Sequence, residues 1–304
     1  MAARAAFVGL LALAIGGAGE SAAQDLEPRQ YSNAPTGLNF LAAGYIAQDG
    51  SVLFDPVVQL ENASLSIDGP LIGYARAVAF GGLSGRVDAA VGRVCLSGSA
   101  DYLGQRYTRD VCGLTDAKMR VAVNFIGAPA LTMQEFARNR DNLVVGASLQ
   151  LTAPVGDYDP ARLANIGSNR WAAKAEIGAS KVVRLWTFEG SAAGTFHQDN
   201  DEFFGGNIRE QDPIYALQLH VVRSFQSGHW LAIDWNHYRG GQSKTNAVLN
   251  ADFQSNERFG LTFSLPINRR QSIKLNASSG VSTRTGTDFD TYGAIWQYRW
   301  GAGL

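Results

Sequence analysis

The chain has 304 residues, with 26 Lys and Arg against 27 Asp and Glu, for a formal net charge of −1. Near neutrality without a basic run excludes a nucleic-acid binder that works by phosphate neutralisation. Its 2 cysteines exclude a disulfide-dense scaffold, and its 34 glycines show no collagen-like period, which leaves them to tightly bent strands.

The chain opens on Met1-Ala-Ala-Arg4, an apolar run from Ala5 to Ile15, and the small residues Ser21-Ala-Ala23. This pattern predicts a secretory signal peptide over residues 1–23. The run is well short of the roughly 20 residues a spanning helix needs, and no later stretch reaches that length. Residues 24–36 precede the first strand. They form either a plug that folds into the lumen, with Arg29 and Tyr31 among the charged wall residues, or a loose periplasmic tail.

From residue 37 to 304 the pattern is that of one all-β domain. Period-two alternation predicts twelve strands, near 37–47, 66–80, 84–96, 115–126, 142–153, 169–181, 184–197, 213–225, 229–239, 256–266, 270–283 and 289–300. Several state their faces clearly. Tyr215, Leu217, Leu219 and Val221 oppose Ala216, Gln218 and His220, and Phe259, Leu261, Phe263 and Leu265 oppose Arg258, Gly260, Thr262 and Ser264. In the last strand Tyr292, Ala294, Trp296, Tyr298 and Trp300 share one face, against Thr291, Gly293, Ile295, Gln297 and Arg299. Strand 66–80 is ambiguous, and its register stays open.

An apolar, aromatic-ended face backed by a charged one is the signature of a strand between lipid and a wet lumen. A soluble sandwich of this size would bury unpaired charges at a cost of several kcal/mol per ion, on the order of its whole stability. Connection lengths agree. With the first strand rising from the periplasm, the long connections 48–65, 97–114, 154–168, 198–212 and 240–255 lie outside and the short turns inside. One inner link, 127–141, is long, and its Thr132-Met-Gln-Glu135 spacing predicts a short capped periplasmic helix. The expectation is a transmembrane antiparallel up-and-down β-barrel of about twelve strands in the bacterial outer membrane.

The predicted lumen-lining set is Arg86, Asp88, Arg120, Lys174, Glu176, Glu189, His220, Asp234, Arg258, Lys274 and Arg299. Both signs occur on neighbouring strands, which reads either as a channel wall that tunes permeability or as a static network filling the interior. Twelve strands lie between the eight that side chains fill and the sixteen that leave an aqueous pore, so an open channel does not follow from strand number. Phe203 and Phe204, in an outer loop, are candidates for capturing apolar cargo, with packing of a compact loop as the alternative. Cys95 and Cys112 are spaced for a disulfide across one loop in an oxidising compartment. No metal-ligand spacing or nucleophile motif accompanies the four histidines, and no cofactor is expected.

Several stretches resemble a known family. They are Arg29-Gln-Tyr-Ser-Asn-Ala-Pro35 leading into Gly37-Leu-Asn-Phe40, Ala153-Pro-Val-Gly-Asp-Tyr-Asp-Pro160, Asn165-Ile-Gly-Ser-Asn-Arg-Trp171, Asp201-Glu-Phe-Phe-Gly-Gly206, Arg209-Glu-Gln-Asp-Pro-Ile-Tyr215, Asn268-Arg-Arg270 and Gly280-Val-Ser-Thr-Arg-Thr-Gly-Thr-Asp-Phe-Asp290. Together they resemble the outer-membrane barrels assigned to transport in the meta-pathway of phenol degradation. The resemblance implies passive uptake of aromatic or other hydrophobic small molecules, with lipid and the barrel-assembly machinery as partners. Two alternatives come from other classes. One is an outer-membrane lipid hydrolase using His197 or His237. The other is a structural or surface-recognition barrel without transport.

Overall fold

The computed structural model describes residues 26–53, 60–139 and 143–304. The predicted signal peptide lies outside the described residues. The strands, in chain order, are β1 (Leu38–Leu53), β2 (Leu60–Phe80), β3 (Leu83–Tyr102), β4 (Gln105–Leu114), β5 (Ala117–Ile126), β6 (Leu143–Ala153), β7 (Ala172–Val183), β8 (Trp186–His197), β9 (Asn200–Phe203), β10 (Asn207–Gln211), β11 (Ile214–Ser224), β12 (Trp230–Gly240), β13 (Ser243–Thr245), β14 (Val248–Leu249), β15 (Gln254–Pro266), β16 (Gln271–Ser282) and β17 (Gly286–Gly301). A single short helix, α1 (Met133–Arg138), falls between β5 and β6.

The sheet closes on itself. β1 pairs antiparallel with β2 on one side and with β17 on the other, and every other long strand pairs with its neighbours in chain order. β4 and β5 share one position, because the outer half of β3 pairs with β4 and its inner half with β5. Counted this way the barrel has the twelve strands that the alternation predicts, and closure leaves it no free edge. Four short strands, in the order β14-β13-β10-β9, make a separate sheet from the outer loops.

Two predicted outer loops are largely strand. β1 runs to Leu53, β2 starts at Leu60, and β3 and β4 form a hairpin that turns at residues 103–104. Both faces of these extensions are polar, so they carry pairing without hydrophobic alternation. Cys95 and Cys112 are direct cross-strand partners in that hairpin and are disulfide-bonded.

The outer surface is apolar. Tyr215, Leu217, Leu219, Ile233, Leu261 and Leu275 are all about half exposed, while their strand neighbours Gln218, Asp234, Thr262 and Lys274 are buried. Near the periplasmic end Trp296, Tyr298 and Trp300 stack in a row, at ring separations of 6.1 and 5.7 Å, as in an interfacial girdle. The predicted inner helix is present. Thr132 accepts from the Glu135 N–H, and the Glu135 carboxylate accepts from the Thr132 N–H at 2.8 Å, a reciprocal cap.

Candidate functional site: a threaded, two-faced lumen

Alternation sends every second side chain inward, and the two halves of the wall receive different chemistry. On β17, β1, β2 and the outer half of β3 most inward positions are apolar and buried, namely Phe289, Ile295, Leu38, Phe40, Ala42, Ile46, Ile67, Leu71, Ala75, Ala77, Val94 and Leu96, with Gln48, Thr291 and Gln297 interspersed. This apolar wall settles the register of 66–80: Ile67, Leu71, Ala75 and Ala77 point in, while Ile72, Tyr74 and Arg76 point out. It also corrects a uniformly polar interior, since a channel meant only for water gains nothing from apolar side chains on its inner face.

The remaining wall carries the predicted charges. Cross-strand register builds one row from Asp88, Arg120, Gln150 and Lys174, and a second from Ser180, Glu189, His220 and Asp234. Asp88 pairs with Arg86 at 2.9 Å and Arg120 at 3.1 Å, and Lys174 pairs with Glu176 at 3.2 Å. His220 Nδ1 lies 2.7 Å from Asp234, whose other oxygen accepts from Thr262 at 2.9 Å. Arg258 donates to the Phe289 carbonyl at 2.6 Å. Lys274 is buried, yet makes no hydrogen bond or ion pair among the described residues. Arg299 sits apart from the others, at the periplasmic turn, where it donates to the Arg269 carbonyl at 2.7 Å.

Residues 26–36 run through this interior. Glu27 pairs with Arg120, the Arg29 N–H donates to Glu189, and the Arg29 guanidinium lies over the Trp230 ring at 5.5 Å. Gln30 and Tyr31 both donate to Glu176, at 2.7 and 2.8 Å. Two glycines make room for the Tyr31 ring, since a Cβ at Gly178 would fall 2.2 Å from it and one at Gly146 would fall 2.9 Å away. Residues 26–36 therefore lie inside the barrel, bonded to its wall. Arg29 and Tyr31 lie among the charged wall residues, as expected of a plug, whereas Glu27 carries no signal in the sequence that would have marked it as a lumen residue.

Both mouths are covered by the chain itself. At the outer end Ile166, from the loop between β6 and β7, packs among Ile46, Ile67, Leu71, Val94, Leu96 and Phe289. That loop is pulled inward by Asp116, at the break between β4 and β5. Its carboxylate accepts from the Gly156 N–H at 3.0 Å and from the Ser168 N–H and hydroxyl at 2.8 and 2.6 Å. At the inner end Met133 and Phe136 of α1 pack against the cluster of Leu38, Phe40, Ala42 and Ile295.

Phe203 and Phe204 lie in the loop sheet. Phe203 sits under the Arg209 guanidinium at 5.2 Å and Phe204 is 43% exposed. His237 Nδ1 lies 3.6 Å from the Glu257 carboxylate.

A closed barrel with a lipid-facing apolar belt and a charged, threaded interior defines an outer-membrane β-barrel. Residues 67–298 match the model of the family described as "Putative MetA-pathway of phenol degradation", and the chain belongs to that family. Among solved structures it is similar to the COG4313 outer membrane channel from Pseudomonas putida F1, at 18% identity and a TM-score of 0.77, covering 90% of this chain and 99% of that one. It is also similar to the β domain of the Bordetella autotransporter BrkA, at 11% identity and a TM-score of 0.51, covering 86% and 98%. Among curated protein sequences, none matches this chain.

Proposed function

We propose that this barrel is a passive outer-membrane channel for small aromatic or other hydrophobic molecules. The observation that carries the reading is the division of the interior. An apolar wall running from Phe40 to Phe289 faces a hydrogen-bonded charged wall, so a molecule with one apolar and one polar side is matched on both. A general aqueous pore has no use for the apolar half. Membership of a phenol-degradation family agrees with aromatic cargo.

In this reading residues 26–36 are a plug and the Asp116-held loop is an outer constriction. Passage requires the plug to shift while the barrel wall stays rigid. No energy source acts on the barrel, so flux follows the gradient. The exposed belt is solvated by outer-membrane lipid, and the barrel-assembly machinery inserts it. Phe203 and Phe204 present apolar surface at the outer loops, where cargo would first be met.

The test is uptake by cells that differ only in expression of this barrel, comparing labelled phenol or toluene with a sugar of similar size. Faster aromatic uptake with unchanged sugar uptake supports the reading. Equal acceleration of both makes the protein a general porin, and acceleration of neither removes transport altogether.

A further inference from the structure

Lys274 is the buried lumen cation that lacks a hydrogen-bonded partner among the described residues. It stands at the seam of the two walls. Its cross-strand neighbour on β17 is Ile295, which leads through Gly44 to Leu71, and its neighbour on β15 is Ser264. The acids whose fields reach it are Glu27 and Asp234, and the cations are Arg86 and Arg120. Asp234 is already held by His220 and Thr262, which leaves Glu27 as the anion that balances this corner.

Glu27 belongs to the threaded segment, not to the wall. With it in place, Arg86, Arg120 and Lys274 face Asp88, Asp234 and Glu27, three charges of each sign. When the segment shifts, Glu27 leaves this corner with one positive charge more than it has acids, while Arg29 departs from Glu189 in the neighbouring row, so the vacated lumen holds separated charges where an uncompensated ion is costly. The residue before Glu27 completes the picture. A Cβ at Gly260 would fall 2.6 Å from Leu26, so the apolar Leu26 side chain lies directly against bare glycine backbone. The chain thus places an apolar group on a flat seat with a carboxylate beside it, facing two cations.

We infer that Leu26 and Glu27 are an internal stand-in for the cargo, and that the site they vacate binds a small aromatic monocarboxylate. The ring takes the place of Leu26 over Gly260. The carboxylate takes the place of Glu27 opposite Arg120 and in the field of Lys274. A neutral aromatic of the same size fills the apolar seat and leaves the extra charge unmet, so the site discriminates between them by charge. The inference rests on the aromatic-channel reading and narrows its substrate class.

The experiment is calorimetric titration of the purified full barrel with benzoate and with benzyl alcohol, its neutral counterpart, at neutral pH. Benzoate is expected to bind at least about tenfold more tightly, the difference that one charge-assisted contact supplies. Glu27→Gln, which lies outside the barrel wall, weakens the hold of a segment that both ligands must displace, so it raises the affinity of both by about tenfold and leaves their ratio at the wild-type value. Lys274→Met removes the preference for benzoate, and Lys274→Arg keeps it. Equal binding of the two ligands, with neither variant changing the ratio, overturns the inference and leaves the aromatic channel standing. Binding of neither ligand to wild type or to Glu27→Gln overturns both.

Discussion

Replacing Glu176 with alanine is the sharpest way to ask whether the threaded segment limits flow. The Glu176 carboxylate accepts from Gln30 at 2.7 Å and from Tyr31 at 2.8 Å, with Glu176 and Tyr31 buried and Gln30 half-buried. A hydrogen bond to an ionised acceptor is worth about 1.5–3 kcal/mol, so the two together hold the segment by about 3 kcal/mol at the low end. Each 1.4 kcal/mol is a factor of about 10 in population, and Glu176→Ala should raise the share of barrels with the segment displaced by about 100-fold. Lys174 also loses its 3.2 Å partner, which adds to the wall's positive character without touching the segment. Single-channel recording in planar bilayers reads the effect as longer and more frequent open events. Gly178→Ala is the independent arm, because its new Cβ would strike the Tyr31 ring at 2.2 Å while every hydrogen bond keeps its partner. If both variants fold, shown by retained heat-dependent gel mobility, and both conduct as wild type does, the segment does not control the lumen and the reasoning fails.

Three further outcomes follow from the geometry. Asp116→Ala removes three of the bonds that hold the loop after β6, so the amides of Gly156 and Ser168 should exchange with deuterium at least about tenfold faster, and unchanged protection would show that Ile166 packing and the Leu114–Asp157 and Arg109–Ala164 bonds hold the loop without it. Leu219→Arg, on the half-exposed lipid face of β11, should cost about 2–4 kcal/mol in denaturant titrations of the lipid-embedded barrel, whereas equal stability would mean that this face does not meet hydrocarbon. In α1 the Thr132 N–H and hydroxyl hold the Glu135 carboxyl below the usual carboxylate range, so the cap is at full strength at neutral pH and is lost only as pH falls through that depressed value. The protection factors at the first turn of α1, measured against the intrinsic exchange rate at each pH, should therefore fall on acidification below the ordinary glutamate range, and Glu135→Gln should remove that pH dependence.

The architecture was readable because lipid and lumen impose opposite demands on successive residues. Leu217, Leu219 and Val221 against Gln218 and His220 leave one assignment of faces, and repetition over the chain yields twelve strands and the inward set from Arg86 to Lys274. The same logic explains the gaps. Residues 66–80 were ambiguous because Ile67, Leu71 and Ala75 point into an apolar wall, so both faces are apolar and the contrast vanishes. The outer halves of β3 and β4 looked like loop because water bathes both faces. Glu27, Asp116 and Ile166 were invisible for another reason. Each acts through a partner far along the chain, and only the closed barrel brings Glu27 to Arg120 or Ile166 to Phe289.

The central claim, that a closed barrel passes aromatics while holding back ions, is tested most directly in liposomes carrying the purified full-length barrel. Aromatic and ion flux are measured on the same preparation against protein-free vesicles. The account predicts a saturable aromatic flux above the protein-free control, with ion leak close to it. Rapid ion leak with no preference for aromatics would contradict it, as would a barrel that carries neither.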